Sequence, residues 1–331
     1  MSSQSPLRGK RVLVTGAAGF IGSHLVEALV ESGASVTALI RYNSTGSRGW
    51  LGGSPVEREV AFVQGDIGDF HCVRAAMKGQ EIVFHLAALI GIPYSYVAPH
   101  QYVRVNVEGT VNVVQAAREE SVARVVQTST SEVYGTALRT PIDEDHPKQP
   151  QSPYSASKIA SDNLAESYFR SFGTPVVIVR PFNTFGPRQS TRAVIPTIIT
   201  QCLAGGPIRL GSVTPTRDMN YVGDTVDGFL RAAAADGVVG EEINLGSGEE
   251  RSIGEIAEMI AGIIGVPARI EAEDTRMRPA QSEVFRLIAD ASKAQRLLGW
   301  RPALGFEEGL RRTVDWFRDN ARLYRVGEYA V

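Results

Sequence analysis

Tyr154 and Lys158 stand four residues apart in Tyr154-Ser155-Ala156-Ser157-Lys158, a spacing that brings both side chains to one face of a helix. Such a pair suits redox work at a hydroxyl group. A free phenol ionises near pH ~10, and a neighbouring ammonium favours the phenolate, which then becomes a usable base closer to neutrality. Pairs with this spacing are common and usually sit on surfaces, so a second feature has to support the reading. Thr128-Ser129-Thr130-Ser131-Glu132-Val133-Tyr134-Gly135 supplies it. Thr130 can share the proton of a substrate hydroxyl with Tyr154, and Glu132, close by on the same segment, can serve as a second base.

These residues need a frame that holds them together, and the hydrophobic pattern describes one. Short β-rich runs at Arg11–Thr15, Ser35–Ile40, Ala61–Val63, Ile82–Leu86, Arg124–Thr128 and Val176–Arg180 alternate with helical patterns. The helices are expected at Phe20–Ser32, Phe70–Lys78, Pro99–Glu119 and Tyr154–Phe172. Apolar strands alternating with helices predict an α/β fold, a doubly wound parallel sheet covered on both faces. The Thr130 segment then falls at the carboxyl end of the fifth strand, where sites of this architecture lie. After Pro181 the pattern loosens, with helical stretches at Asp224–Ala235, Ile253–Ile264, Ala291–Leu298 and Phe306–Phe317. The expected division is a dinucleotide-binding unit over 1–185, with a return segment near 218–247. A smaller α/β substrate unit, intertwined with it, is expected over 186–217 and 248–331.

The first strand runs into Gly16-Ala17-Ala18-Gly19-Phe20-Ile21-Gly22 and then a helix. Glycines at this strand–turn–helix junction allow a tight turn and a close approach to a pyrophosphate, whose charge meets the helix N-terminus. A nicotinamide dinucleotide is the expected cofactor, and its oxidised ring would further favour the Tyr154 phenolate. The second strand ends in Ile40-Arg41 where an acid that takes the adenosine ribose of NAD would stand. Arg41 can pair with a 2′-phosphate, which favours NADP and leaves NAD as the alternative; Arg41 could equally lie along the adenine or in solvent. Asp66 and Ile67 after the third strand, and Leu86, Ala87 and Ala88 after the fourth, are further candidate cofactor contacts.

Bulk composition excludes several classes. With 34 Lys and Arg against 36 Asp and Glu, the formal charge is −2, so no global basic field attracts nucleic acid or an anionic membrane. No apolar stretch approaches the ~18 residues needed for a transmembrane helix. Met1 to Lys10 is polar and carries no signal core. Cys72 and Cys202 form no CxxC pair, and the five histidines have no metal-ligand spacing. No metal site is expected, and a reducing cytoplasm fits.

Gly16, Gly19 and Gly22, with Thr130, Tyr154, Lys158 and Arg180-Pro181-Phe182-Asn183-Thr184-Phe185-Gly186-Pro187-Arg188-Gln189, resemble the extended short-chain dehydrogenases/reductases over essentially the whole chain. That family includes sugar-nucleotide epimerases, dehydratases and decarboxylases. The resemblance implies that Asn106 supports the active-site lysine through water, and that a nucleoside-diphosphate sugar is the substrate. It places Asn183, Arg188, Arg217 and Arg278 on the diphosphate, with surface ion pairs as the bland alternative for the arginines, and Val194 on the nucleobase. It also implies a homodimer built on helices Pro99–Glu119 and Tyr154–Phe172. Glu132 answers the demand of a 4,6-dehydratase for a carboxylate over C5. In dTDP-glucose dehydratases an aspartate precedes that glutamate; Ser131 stands there in this chain and resembles the GDP-mannose dehydratases. Glu132 is then expected to act as both base and acid, with Ser131 in a supporting hydrogen bond. The segments His85–Tyr96, Gln149–Lys158, Arg188–Ser190, Ile195–Ile199, Tyr42–Ser44 and Gly49–Leu51 are similar to bacterial GDP-N-acetylglucosamine 4,6-dehydratases of legionaminic acid pathways. A decarboxylase of UDP-glucuronate and a 4-epimerase remain the alternatives. A non-catalytic NADP-binding regulator is a further one, disfavoured because Tyr154, Lys158, Thr130 and Glu132 are all retained.

Overall fold

The computed structural model describes residues 5–324; the first four residues of the polar N-terminal stretch and the last seven of the chain lie outside it. Seven parallel strands form one sheet, ordered Glu242–Leu245, Val176–Pro181, Arg124–Thr128, Ile82–His85, Arg11–Thr15, Ser35–Ile40, Ala61–Gln64. The order reverses direction between Arg11–Thr15 and Ile82–His85, so a crevice opens at the carboxyl ends of those two neighbours. Every residue of Ile82–His85 and Val176–Pro181 is buried, as expected for central strands whose two faces are both covered by helices. One core forms on the face of helices Phe20–Glu31 and Val222–Ala234. Another lies on the opposite face, with Phe70–Met77 and Gly109–Glu119.

The first six strands fall where the apolar runs predict them. The seventh, Glu242–Leu245, is a four-residue edge strand with polar Glu242 and Asn244 breaking its apolar signal. Ala294, Leu298 and Trp300, from a stretch expected in the second unit, pack into the first core, and the Trp300 indole donates to the Asp224 carbonyl at 2.9 Å.

The helix expected over Pro99–Glu119 is interrupted. Pro99–Tyr102 is followed by a wide π turn, Val103–Glu108, and only then by the α-helix Gly109–Glu119. The Asn106 carbonyl sits in this widened turn and accepts from Thr110 Oγ1 at 2.6 Å and Ser161 Oγ at 2.7 Å. Such bulges often mark functional sites.

Beyond the sheet, Thr216–Tyr221 pairs with Asn183–Phe185 and Arg286–Leu287 in parallel and with Glu250–Ser252 antiparallel. Ile208–Leu210 pairs with Ile270–Ala272. Helices Val194–Leu203, Ile253–Ile264 and Phe306–Asn320 enclose a third core over these strands. The Val194–Leu203 helix and a short helix at Ile92–Val97 were not expected, because each has a proline in its first three residues amid other chain breakers. Among the described residues no helix is long and apolar enough to cross a membrane, and no group of side chains could hold a metal ion.

Candidate active site

The glycine-rich turn is set by steric demand. Gly16 has φ +70°, and a Cβ there would lie 2.8 Å from the Ala87 nitrogen; a Cβ on Gly22 would lie 2.2 Å from the Gly16 oxygen. These two glycines let the turn press against the end of the fourth strand and fold onto its own helix. Thr15 Oγ1 completes the contact, accepting from the Leu86 and Ala87 nitrogens at 3.2 and 3.1 Å. The Phe20–Glu31 helix starts at Gly19 with no side-chain cap and no acid in its first turn. Its free N–H groups and positive dipole end meet a phosphate well.

Phe20 and Ile21 are half-buried against the first core. Asp66 is exposed and its Oδ1 accepts from the Gly68 nitrogen, while Ile67 is buried in the second core and Ala88 is half-buried. Arg41 is exposed just beyond the second strand. The loop after it is shaped by Asn43, whose side chain bonds both the nitrogen and the carbonyl of Ser47 at 2.8 Å. That loop then rests on the glycine-rich turn, with the Trp50 nitrogen donating to the Ala18 carbonyl at 3.2 Å.

The structure brings the candidate side chains of the two sequence segments together. Ser152 caps the Pro153–Phe172 helix in a reciprocal capping box with Ser155, fixing the turn that carries Tyr154. Tyr154 and Lys158 are both buried, and Thr130 hydrogen-bonds the phenol. Lys158 Nζ donates to the Thr128 carbonyl at 2.6 Å. Thr130 also caps the short turn Ser131–Tyr134 through the Glu132 nitrogen, so one hydroxyl ties the phenol to the turn that carries Glu132. Ser131 and Glu132 are both buried in that turn.

Burial pushes the Tyr154 phenol well above its ordinary range, and the nearby Glu132, Tyr102 and Asp162 add to this; Thr130 opposes it. Burial likewise pulls the Lys158 ammonium down, opposed by Asp162. Without a ligand the pair is therefore held back from the phenolate. His85, whose Nδ1 lies 2.8 Å from Thr15 Oγ1, is pushed down to about 3, mainly by burial and also by Lys158, and is neutral.

Glu132 belongs to a cluster of two cations and two carboxylates. Arg278 Nη1 lies 4.0 Å from Glu132 and 3.8 Å from Glu283, and Arg217 Nη2 is 3.4 Å from Glu283. Arg278 Nη1 and Asn183 Nδ2 are buried and make no hydrogen bond. Donors left this way are costly unless a ligand accepts from them.

Two of the expected site residues are engaged elsewhere in the chain. Arg188 does not join the cluster: it pairs with Glu27 on the first helix through both terminal nitrogens, at 2.8 and 3.0 Å, and donates to Ser23. Its φ of +70° turns it that way. The Asn106 side chain bonds both backbone groups of Leu89, and Ser157 at 2.9 Å, so it anchors the residue before the lysine. Val194 packs on the third core at the start of its helix.

Several residues were not anticipated. The Tyr102 ring meets that of Tyr154 edge-on at 6.2 Å. Tyr96 and Ser282 bond across the same region, and Ser282 donates to the Gln151 carbonyl. Only Asp162, four residues beyond Lys158, continued a pattern visible in the sequence.

A strand–glycine turn–helix on the same sheet as a buried tyrosine–lysine pair is the arrangement of a short-chain dehydrogenase/reductase. Residues 13–313 match the family described as GDP-mannose 4,6 dehydratase, and this chain belongs to that family. It is 34% identical to dTDP-D-glucose 4,6-dehydratase of Homo sapiens, over 97% of this chain and 94% of the human one. It is 36% identical to UDP-glucose 4-epimerase of Mycolicibacterium smegmatis, over 94% of this chain and all of the relative. Among solved structures, the dTDP-glucose 4,6-dehydratase DesIV of Streptomyces venezuelae, with NAD bound, superposes with a TM-score of 0.88. It is 32% identical and covers 95% of this chain and 99% of its own.

The raised phenol gives a direct check. In the ligand-free protein, Tyr154→Phe should leave the tyrosinate absorbance unchanged between about pH 9 and 11. Loss of one tyrosine's ionisation in that interval would show Tyr154 to be unshifted.

Proposed function

We propose that this enzyme is a nucleotide-sugar 4,6-dehydratase, converting a nucleoside-diphosphate hexose to its 4-keto-6-deoxy product. The observation that carries the reading is Glu132, a buried acid whose backbone nitrogen donates to the same threonine that bonds Tyr154. A 4-epimerase has no use for such a group.

The uncapped helix N-terminus and the glycine turn fit a dinucleotide, which Gly16, Gly19, Phe20, Ile21 and Gly22 would hold. Arg41, Asp66, Ile67, Leu86, Ala87 and Ala88 would line it, and Asn106 would act through Ser157. When bound, a nicotinamide dinucleotide supplies a hydride acceptor and later a donor, and its positive ring favours the phenolate that burial opposes. Tyr154, assisted by Thr130 and Lys158, takes the C4 hydroxyl proton. Once C4 is a ketone the C5 proton is acidic, and Glu132 takes it and passes it to the departing C6 hydroxyl, with Ser131 supporting the carboxylate. A hydride returned to C6, and a proton delivered to C5 that balances the one Tyr154 took from the C4 hydroxyl, would complete the reaction with one water lost and no net change of cofactor.

Arg217, Arg278 and Asn183 offer donors to the diphosphate, and Val194 an apolar contact for the base; Arg188 is left out, being committed to Glu27. We place nucleotide-sugar recognition on 186–217 and 248–331. Ser131 in place of an aspartate, and the resemblances in His85–Tyr96 and Gln149–Lys158, favour a GDP- or UDP-N-acetylglucosamine-like substrate over dTDP-glucose. Arg41 favours NADP. Helices Gly109–Glu119 and Pro153–Phe172 are proposed to pair two copies.

Mass spectrometry of reactions with GDP- and UDP-N-acetylglucosamine, GDP-mannose, dTDP-glucose and UDP-glucuronate should show loss of one water from one of them. Tyr154→Phe should lower kcat ~10²–10⁴-fold. Glu132→Gln should still oxidise C4 while blocking water loss. Loss of carbon dioxide, or an unchanged mass with altered retention, would replace this reading by a decarboxylase or a 4-epimerase. Arg41→Ala should weaken NADP roughly tenfold to a hundredfold in direct titration and NAD far less, from loss of a charged hydrogen bond; equal loss for both would reject the 2′-phosphate contact. Sedimentation should give twice the 35.7 kDa chain mass, and a monomer would exclude the pairing.

A further inference from the structure

Tyr154, Lys158 and Asp162 follow one another at intervals of four along one face of the Pro153–Phe172 helix. The first two belong to the proton transfer described above; the third does not, although it is fully buried. Asp162 Oδ2 accepts from Arg180 Nη2 at 3.0 Å and from Ser129 Oγ, while Oδ1 is buried with no hydrogen-bond partner. Ser129 is the residue between Thr128, whose carbonyl holds Lys158, and Thr130, which holds Tyr154. Asp162 thus grips the strand end midway between the two groups that fix the catalytic pair.

We propose that Asp162 is a positioning residue: through Ser129 it locks the end of strand Arg124–Thr128 to the catalytic helix, and its charge sets the pH window in which Tyr154 and Lys158 work. The proposal rests on the dehydratase reading only for the identity of the reaction.

The other charged or titratable groups around the pair are accounted for. His85, from the fourth strand, is neutral. Tyr102 approaches Tyr154 from the Pro99–Tyr102 helix, and Glu132 from the turn after Thr130. Behind Asp162, Arg180 contacts Tyr134 at 2.6 Å and Glu242 at 3.1 Å, and Glu242 is also held by Lys148. Among these, Asp162 is the charge that sustains the Lys158 ammonium, and it also resists ionisation of Tyr154. Removing it lowers the pKa of both groups. The phenol then ionises at lower pH, and the ammonium is lost at lower pH as the solution becomes alkaline.

The test is the pH dependence of kcat for Asp162→Asn in the NADP-loaded enzyme. Both limbs should move to lower pH by roughly half a unit to one unit. Ser129→Ala, which keeps the charge and breaks the tether, should lower kcat with its profile unmoved. An Asp162→Asn profile superimposed on the parent's, whatever its height, would overturn the proposal. If that variant fails to fold because Arg180 loses its partner, Asp162→Asn with Arg180→Met removes both charges, and the same shift is required of it. Tyrosinate absorbance of the NADP-loaded protein, with Tyr154→Phe as reference, reads the Tyr154 shift without substrate. A shift there with no turnover of any nucleotide sugar would uphold the role of Asp162 and sink the dehydratase reading.

Discussion

A guanidinium with no solvent exposure lies under the helix that carries Tyr154 and Lys158, and the arrangement above it depends on how that charge is met. Arg180 leaves the carboxyl end of strand Val176–Pro181 and engages Asp162 on the helix, Tyr134 on the turn after Thr130, and Glu242 on the edge strand. Burial alone would make its charge costly, and Tyr134, Asp162 and Glu242 more than offset this, holding it firmly protonated. A buried ion pair of this kind contributes little net stability, but losing one partner strands the other charge. Its value here is geometric. Four pieces of chain, separated by up to a hundred residues, are held in one register, and two of them carry Thr130, Glu132, Tyr154 and Lys158.

The charges beside Glu132 follow a different rule. Arg217, Arg278, Glu132 and Glu283 sum to zero among themselves, yet two buried donors, on Arg278 and Asn183, remain unused. The cluster is balanced in charge and unsatisfied in hydrogen bonds. Acceptor oxygens entering there gain directional contacts, without the cluster carrying a large net charge beforehand.

Much of this was legible in the sequence because the signals were strong and local. Continuous apolar runs mark the central strands, glycines at fixed offsets mark the turn, and a four-residue spacing marks the catalytic face. What escaped depends on tertiary context. The π turn at Val103–Glu108 has no composition of its own; it exists because Thr110 and Ser161 hydroxyls both reach the Asn106 carbonyl. Arg188 sits in a motif that suggests phosphate contact, but a left-handed backbone turns it toward Glu27, which also accepts from Ser54. The edge strand Glu242–Leu245 has an alternating polar pattern because Glu242 answers Arg180 and Asn244 answers Tyr134.

That edge strand also bears on how the chain is made. It pairs with Val176–Pro181, but some sixty residues lie between them, and those residues build strands and helices of their own. A nascent chain that has emerged only as far as the sixth strand has an open sheet edge and an Arg180 still lacking Glu242. Exposed edges of this sort invite pairing with other chains. The sheet is therefore completed, and the Arg180 charge fully met, only once residues of the second half have been made.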